Sequence, residues 1–424
     1  MTPIDLLILG AGNRGARAYG AYALAHPDEF RVVGIAEPNA VRRERMGADH
    51  AIPAERRFSR WEDALALSRF ARAVVVTTHD TMHVNPTVAA LEAGYDVLLE
   101  KPMAQTAADC RLLVEAAERS GRLLQVCHVL RYTPFFSALR EIVSSGRLGD
   151  IVTIEYRENA SYWHMAHSFV RGSWGNTAKS SPMILAKSCH DLDILLWVMG
   201  RPATRLSSFG SLMHFRADQA PAGAPARCLD GCPAANTCAW YAPRVYSAEP
   251  GWFDPPATPA FMLGALEGGA TAAERRETLR TSPYGRCVYH CDNDVVDHQV
   301  VAMEFEGGAT CAFTMHGHSD REGRTLRFDG TQATLYGEFG YGGVTELRIH
   351  PHGGGPIEVI RPDSVAGGHG GGDDGLMADF GRALHGESSP QRTTARASLA
   401  SHLLAFAAEA SRLSGQVVDP RLSP

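Results

Sequence analysis

The chain has 424 residues, 45% of them hydrophobic and 21% charged, with a formal net charge of −6 at neutral pH. That length buries a sizeable core and favours two or three domains, while the acidic balance excludes nucleic acid as a main partner. No apolar run reaches the ~18 residues of a membrane span, and MTPIDLLILGAG lacks the features of a secretion signal, so a cytoplasmic protein with no membrane partner is expected.

Over residues 1–128, short apolar strands alternate with amphipathic helices. Strands are predicted at Asp5–Leu9, Arg31–Ala36, Ala73–Thr77, Asp96–Leu99 and Leu123–Val126. Helical patterns such as ARAYGAYALA and AADCRLLVEAAERSG separate them. Apolar strands joined by helices imply a doubly wound parallel sheet covered on both faces, an α/β Rossmann arrangement.

The first strand runs into Gly10-Ala11-Gly12-Asn13-Arg14-Gly15 and then an Ala-rich stretch. GxGxxG alone is a weak signal, but between a strand and a helix it reads as a dinucleotide loop. Its glycines permit a tight turn and let a pyrophosphate approach the backbone at the helix start. Glu37 follows the second strand, about 20 residues on, where an acid binds the ribose 2′-hydroxyl. A carboxylate there repels a 2′-phosphate, so NAD is expected over NADP. Arg42 and Arg43 read as a solvated helix face.

VLLEKPMA places Glu100, Lys101 and Pro102 at the C-terminal end of a strand, where open α/β sheets bind ligands. A lysine there can hold a substrate hydroxyl and stabilise a developing alkoxide. Pro102 restricts Lys101 as well as its own φ, which suits a side chain that must point one way.

After about residue 150 the texture changes. TIEYREN, VVAMEFEGGATCAFTMHGH, RTLRFDGTQATLYGEF and ELRIHPHGGGPIEVIRP follow one another with Gly-Gly or Asp-Gly turns, the pattern of antiparallel hairpins. The second domain, 129–424, is therefore expected to be α+β with a large, mostly antiparallel open sheet. Irregular tracts fall at Gln219–Ala226 and Pro250–Pro259, inside an insertion around 216–292 that carries cysteines. A closing helix is predicted over Thr394–Ser414.

Within this half, PMILAKSCHDLDI sets Lys187, Cys189, His190, Asp191 and Asp193 between two apolar stretches. Ser188 and Asp191 have the spacing of a capping box, which would start a helix there and end it at Gly200. The polar groups would then sit at a helix N-terminus opening onto a cleft, with His190 and Asp193 on one face of its first turn. HVLRYTPFF adds His128 and Arg131. ENASYWHMAHSFVRGSW adds Tyr162, Trp163, His164, His167, Arg171 and Trp174, a mixture that suits a sugar or a semi-buried loop equally. His369 and Asp373, in GGHGGGDDG, either close over a substrate or form a surface loop.

The nine cysteines make an odd set, which fits a disulfide framework poorly. CLDGCPAANTC supplies Cys228, Cys232 and Cys238, and GRCVYHCDND supplies Cys287 and Cys291. Cys228, Cys232, Cys238 and Cys287 could form a closed structural zinc site, since zinc takes about four ligands. Free thiols are the equal alternative.

In order along the chain, GAGNRG, Glu37, TTHDTMHVNPTVAALEAG and LLEKPMA precede an antiparallel half. That succession resembles the Gfo/Idh/MocA oxidoreductases, over essentially the whole chain. The resemblance implies an NAD(P) domain, cofactor contacts from Thr77, Thr78, His83 and Glu100, and a Lys101 that faces both substrate and nicotinamide. It implies that the Lys101–Pro102 bond is cis and that the open sheet forms the interface of a homodimer or tetramer. A family motif of the form D-x-G-x-H-x-x-D matches here at His190 and Asp193, but Ala186 replaces its first Asp and Ser188 its Gly. The expected chemistry is hydride transfer between a sugar or polyol carbinol and nicotinamide C4, with His190 as base, Asp193 orienting its ring, and Lys187 as a substrate contact in place of the missing Asp. Two alternatives stand beside it: a redox-cycling glycosidase with no net redox change, and a non-catalytic NAD-dependent sensor.

Overall fold

The computed structural model describes residues 2–247, 260–266, 271–341, 343–363 and 368–422. The tract Pro250–Pro259 lies outside the described residues.

Six parallel strands form the first sheet: β1 (Ile4–Leu9), β2 (Phe30–Ala36), β3 (Arg57–Phe58), β4 (Ala73–Val76), β5 (Asp96–Leu99) and β6 (Leu124–Val126), in the order β3-β2-β1-β4-β5-β6. The central strands are buried on both faces, which is why they read as unbroken apolar runs rather than alternating ones. The helices between them are bounded by local chemistry. Thr106 caps helix Ala107–Ser120 by accepting from Asp109 N, and Gly121 ends it in the left-handed region at φ 63°. The order reverses between β1 and β4, and the crevice off the strand ends at that switch point is where such sheets bind ligands.

The second sheet has eight strands: β7 (Ile151–Ser161), β8 (Ala203–Ser211), β9 (His298–Phe305), β10 (Thr310–Ser319), β11 (Gly323–Gly330), β12 (Ala333–Gly340), β13 (Thr345–Pro351) and β14 (Glu358–Ile360). Their order is β14-β13-β12-β11-β7-β10-β9-β8, antiparallel throughout except for the β7–β10 pair. Buried and outward residues alternate along β9 to β12, so one face packs a core against helices Cys189–Met199 and Ala395–Ser414. The opposite face exposes Val152, Phe209 and Val300.

The C-terminal segments do not stay with the second sheet. Helix Gly372–Leu384 places Leu376, Met377 and Phe380 in the core of the Rossmann half with Leu6, Ile8 and Phe30. Thr393 N and Oγ1 reach Tyr132 and the Val126 carbonyl. The glycine-rich sequence 367–375 carries no signal for helix Gly372–Leu384. Its glycines serve close approach: a Cβ on Gly372 would lie 2.4 Å from the Val129 carbonyl oxygen. Among the described residues, no helix is long and apolar enough to cross a membrane.

Candidate active site

Gly10 ends β1 at φ +98°, and a Cβ there would lie 2.6 Å from the Thr77 carbonyl oxygen. A Cβ on Gly15 would lie 1.9 Å from the Gly10 oxygen, so the helix start packs directly on the loop. Around Gly12 a Cβ would meet nothing within 4 Å. Two glycines thus close the turn, and the third leaves the backbone open to a pyrophosphate. Asn13–Gly20 winds in wide π-type turns before continuing as an α-helix over Ala21–Ala25. Such turns are frequent at functional sites.

Glu37 is buried, with Oε2 accepting from Ala11 N (2.7 Å) and Oε1 from Asn39 N (2.9 Å). It therefore braces the glycine loop, and each oxygen keeps a lone pair for a ribose hydroxyl. Arg43 does not project freely: its Nη1 donates to the Glu37 carbonyl at 2.7 Å. Thr77 Oγ1 donates to the Gly10 carbonyl (2.7 Å) and Thr78 Oγ1 to that of Met82 (3.1 Å). His83 bridges the Pro102 and Thr78 carbonyls at 2.7 and 3.1 Å. These three brace the loop walls around the switch point.

Arg14 turns inward instead of meeting solvent. Its Nε donates to Glu100 (2.5 Å) and its two terminal nitrogens to Asp373 (2.9 and 2.7 Å). Glu100 also accepts from Tyr19 (2.6 Å). Burial alone would raise the Glu100 carboxyl, but Arg14 and Lys101 outweigh it and hold it below its ordinary range. Glu100 in turn receives the Lys101 N–H at 3.0 Å, and the Lys101–Pro102 bond is cis. Lys101 Nζ donates to the Ala186 carbonyl at 2.9 Å. The position that lacks the motif's carboxylate thus supplies a backbone oxygen.

His190 lies in the first turn of helix Cys189–Met199 and is 6% exposed. Its Nδ1 is buried without a hydrogen-bond partner. Its ring lies 5.8 Å from that of His128 and 6.0 Å from that of His369. Burial, then Lys101, His128, His369 and Arg324, hold His190 well below the ordinary imidazole value. These influences favour its neutral form, the state a base must start from.

Three expectations for the helix start are corrected. Asp193 does not orient His190: both of its oxygens accept from Arg131 at 2.6 Å, a bidentate pair in which both side chains are buried. Lys187 is not a free substrate contact, because its ammonium lies between Glu322 (2.8 Å) and Glu158 (3.3 Å). The capping box does not form. Ser188 Oγ caps nothing, and Asp191 accepts from Tyr156 and Arg324, both at 2.9 Å. For Asp193 and Asp191 a fixed cation or hydroxyl from elsewhere in the fold competes better for the buried carboxylate than a local partner does.

Glu158, Glu322 and Arg324 belong to this network and were not singled out from the sequence. Burial pushes the Glu158 carboxyl up, against the pull of Arg324 and Lys187. A signal for two of them existed: Glu158 and Arg324 occupy inward positions on β7 and β11, in register with each other, where alternation calls for apolar side chains. Of the aromatic-rich segment, His164 joins the network through Glu322 (2.9 Å). His167 instead bonds Tyr246, and Trp174 bonds Asp80.

Cys228, Cys232, Cys238 and Cys287 line one small cavity together with Arg171 and Trp240. Cys228 Sγ lies 3.8 Å from Arg171 Nη2, and all nine cysteines are free. Among the described residues, no group of three or more His, Cys, Asp or Glu is arranged to hold a metal ion.

Comparison with known proteins matches residues 4–128 to the NAD-binding Rossmann fold of an oxidoreductase family and 140–419 to the same family's C-terminal α/β domain. YteT of Bacillus subtilis, which bears an oxidoreductase name, is 24% identical over 72% of this chain and 71% of its own. An inositol 2-dehydrogenase of Pseudomonas fluorescens is 35% identical over 32% of this chain, a stretch that spans 38% of that protein. Two crystal structures share the fold over 99% of this chain. One, an oxidoreductase from Agrobacterium radiobacter in complex with NAD+, L-tartaric acid and magnesium, covers 99% of that protein (TM-score 0.68, 15% identity). The other, an inositol dehydrogenase homolog from Azotobacter vinelandii with NADH and myo-inositol, covers 98% of it (TM-score 0.64, 18% identity). With both halves matched and the strand-end lysine beside the glycine loop, the chain belongs to the Gfo/Idh/MocA oxidoreductases, an NAD-binding Rossmann domain joined to an α/β domain.

Proposed function

We propose that the protein is an NAD-dependent dehydrogenase that moves a hydride between a carbinol carbon of a sugar or polyol and nicotinamide C4. The observation that carries this reading is the convergence of Lys101 with a neutral His190 beside the dinucleotide loop. NAD, when bound, supplies the hydride acceptor; Gly12 leaves room for its pyrophosphate and Glu37 has lone pairs for its ribose. Lys101 holds the substrate oxygen and favours its anionic form by charge, and His190 takes the hydroxyl proton. The inositol substrate in the names of relatives supports a polyol or sugar. The redox-cycling glycosidase is the less favoured reading, since those relatives carry dehydrogenase and oxidoreductase names. NADH formation across a polyol and sugar panel, run beside release of aglycone from aryl glycosides, tests the choice. Aglycone release without NADH overturns the dehydrogenase.

The preference for NAD over NADP rests on the buried Glu37 carboxylate. Glu37→Ala is expected to weaken NAD binding, because the loop loses its brace at Ala11, and to narrow or reverse the preference. Titration calorimetry with both cofactors checks this; a wild type that prefers NADP overturns the assignment.

For the insertion, the proposal is one structural zinc held by Cys228, Cys232, Cys238 and Cys287. Their shared cavity supports it, as does the buried Arg171, whose charge offsets part of that left by four thiolates on a zinc dication. The thiols would have to turn out of their present contacts, such as Cys228 to the Arg286 carbonyl, and close on the ion. About one zinc per purified chain is expected from elemental analysis, and resistance to alkylation until a chelator is added. Metal-free protein with freely alkylated cysteines ends the proposal. The open sheet face bearing Val152, Phe209 and Val300 supports a homo-oligomer, which light scattering reads directly. Free cysteines support a cytoplasmic location.

A further inference from the structure

Resting on the dehydrogenase reading, a question follows from the burial of His190. A proton taken there must leave, because an imidazolium beside Lys101 is disfavoured by charge and by desolvation. One direction is closed. His128 is 1% exposed and packs on His402, whose two nitrogens are engaged by Met103 N and the Ser398 carbonyl at 2.8 Å each.

The other direction is built. His369 faces His190 at 6.0 Å between ring centroids, a gap one water molecule can bridge, and its side chain is 35% exposed. Its Nδ1 lies 3.1 and 3.2 Å from the two Asp373 oxygens. A carboxylate can only accept, so Nδ1 carries the hydrogen and Nε2 is left as the basic nitrogen. Asp373 is fixed by the bidentate Arg14, which lies within the glycine loop, so cofactor loop and dyad share one rigid link. Although burial alone would raise the Asp373 carboxyl, Arg14 and His369 hold it below its ordinary range.

The backbone bears this out. His369 is a non-glycine residue at φ 52°, followed by Gly370 at 66° and Gly371 at 84°. A left-handed non-glycine residue is unfavourable and persists where surroundings hold it. His369 makes its Asp373 contact from this conformation. Besides His190 and Asp373, the ring of His369 faces Tyr341, itself bonded to Arg324.

We propose that the Asp373–His369 pair is a proton relay that carries the substrate's hydroxyl proton from His190 to solvent. In the step, the carbinol C–H pair leaves as hydride to NAD+, the O–H proton passes to His190, and the oxygen's electron pair forms the carbonyl. His190 then gives a proton to His369 Nε2 through one water, and the N–H of His369 exchanges with bulk water. The balance is alcohol plus NAD+ to carbonyl plus NADH plus H+. His369 is a positioning and relay residue, not one that touches substrate.

His369→Asn tests this in the full-length enzyme with NAD and whichever polyol of the panel it oxidises best. Asparagine tolerates the left-handed region, which protects the fold. The expected results are a fall in kcat of about tenfold or more, unchanged KM and NAD affinity, and recovery of rate with added imidazole in a concentration-dependent way. The fall should deepen as buffer is diluted, which a structural defect would not reproduce. A variant with wild-type kcat, pH profile and buffer response overturns the relay alone. A loss of kcat that imidazole and buffer leave unchanged also overturns it. A wild type that forms no NADH from any polyol or sugar overturns the dehydrogenase reading and the relay with it.

Discussion

Lys101→Ala is expected to lower kcat by roughly 10²–10³-fold, the scale of removing one preorganised donor from a developing oxyanion. The ammonium has three N–H donors, and one is spent on the Ala186 carbonyl. That bond aims the group, and the remaining donors are available to a substrate oxygen. NAD affinity should change little, because the phosphate loop is braced by Glu37, Thr77 and Arg14 rather than by Lys101. A second effect has a definite sign. Lys101 is, after burial, the largest influence holding His190 below the ordinary imidazole value. Removing its charge therefore raises the His190 pKa, and the neutral base is lost at a higher pH as the solution is acidified. The acid limb of kcat/KM should move upward in Lys101→Met, which keeps much of the side-chain volume. Near-normal kcat in either variant, or an acid limb that moves downward, would falsify this assignment of Lys101.

Asp193→Ala should damage stability more than it damages chemistry. The carboxylate and Arg131 form two 2.6 Å bonds with both groups buried. Removing one partner leaves an uncompensated buried guanidinium, which costs about 3–5 kcal/mol. Thermal melting should drop by roughly 6–10 °C on that basis, taking about 2 °C per kcal/mol for a domain of this size. Replacing both partners by apolar residues should recover much of the loss, since the desolvation cost disappears with the charges. The pH dependence follows from the direction of the shift. Burial acts to raise the Asp193 carboxyl, but Arg131 holds it below its ordinary range. The contribution to stability is therefore complete above the unfolded-state value near ~3.9 and is lost as pH falls through the lower folded value. A variant that melts like the wild type but has lost kcat would restore the role of orienting His190.

These two residues also mark where sequence reasoning ends. The placement of Lys101 was legible because what fixes it is local: a strand, its C-terminal end, and Pro102 next to it. The same holds for Gly10, Gly12, Gly15 and Glu37, whose spacing is set by one strand–loop–helix–strand unit. The strands of both sheets were legible where side-chain pattern and burial agree. β8 escaped because they disagree there: Phe209 is 68% exposed while Ser208 points inward at 2%.

What only the tertiary structure decided is the pairing of buried charges. Asp193 lies three residues from His190, yet it is bound by Arg131, 62 residues away in sequence. Arg14 reads in the sequence as part of the dinucleotide loop, and it closes on Asp373 across 359 residues. Periodicity and local spacing fix which face a side chain occupies, because backbone geometry repeats within one element. They do not fix which ionised group from another element will stand opposite it. In a buried site that choice dominates, because a charge removed from water must find a partner wherever the fold supplies one.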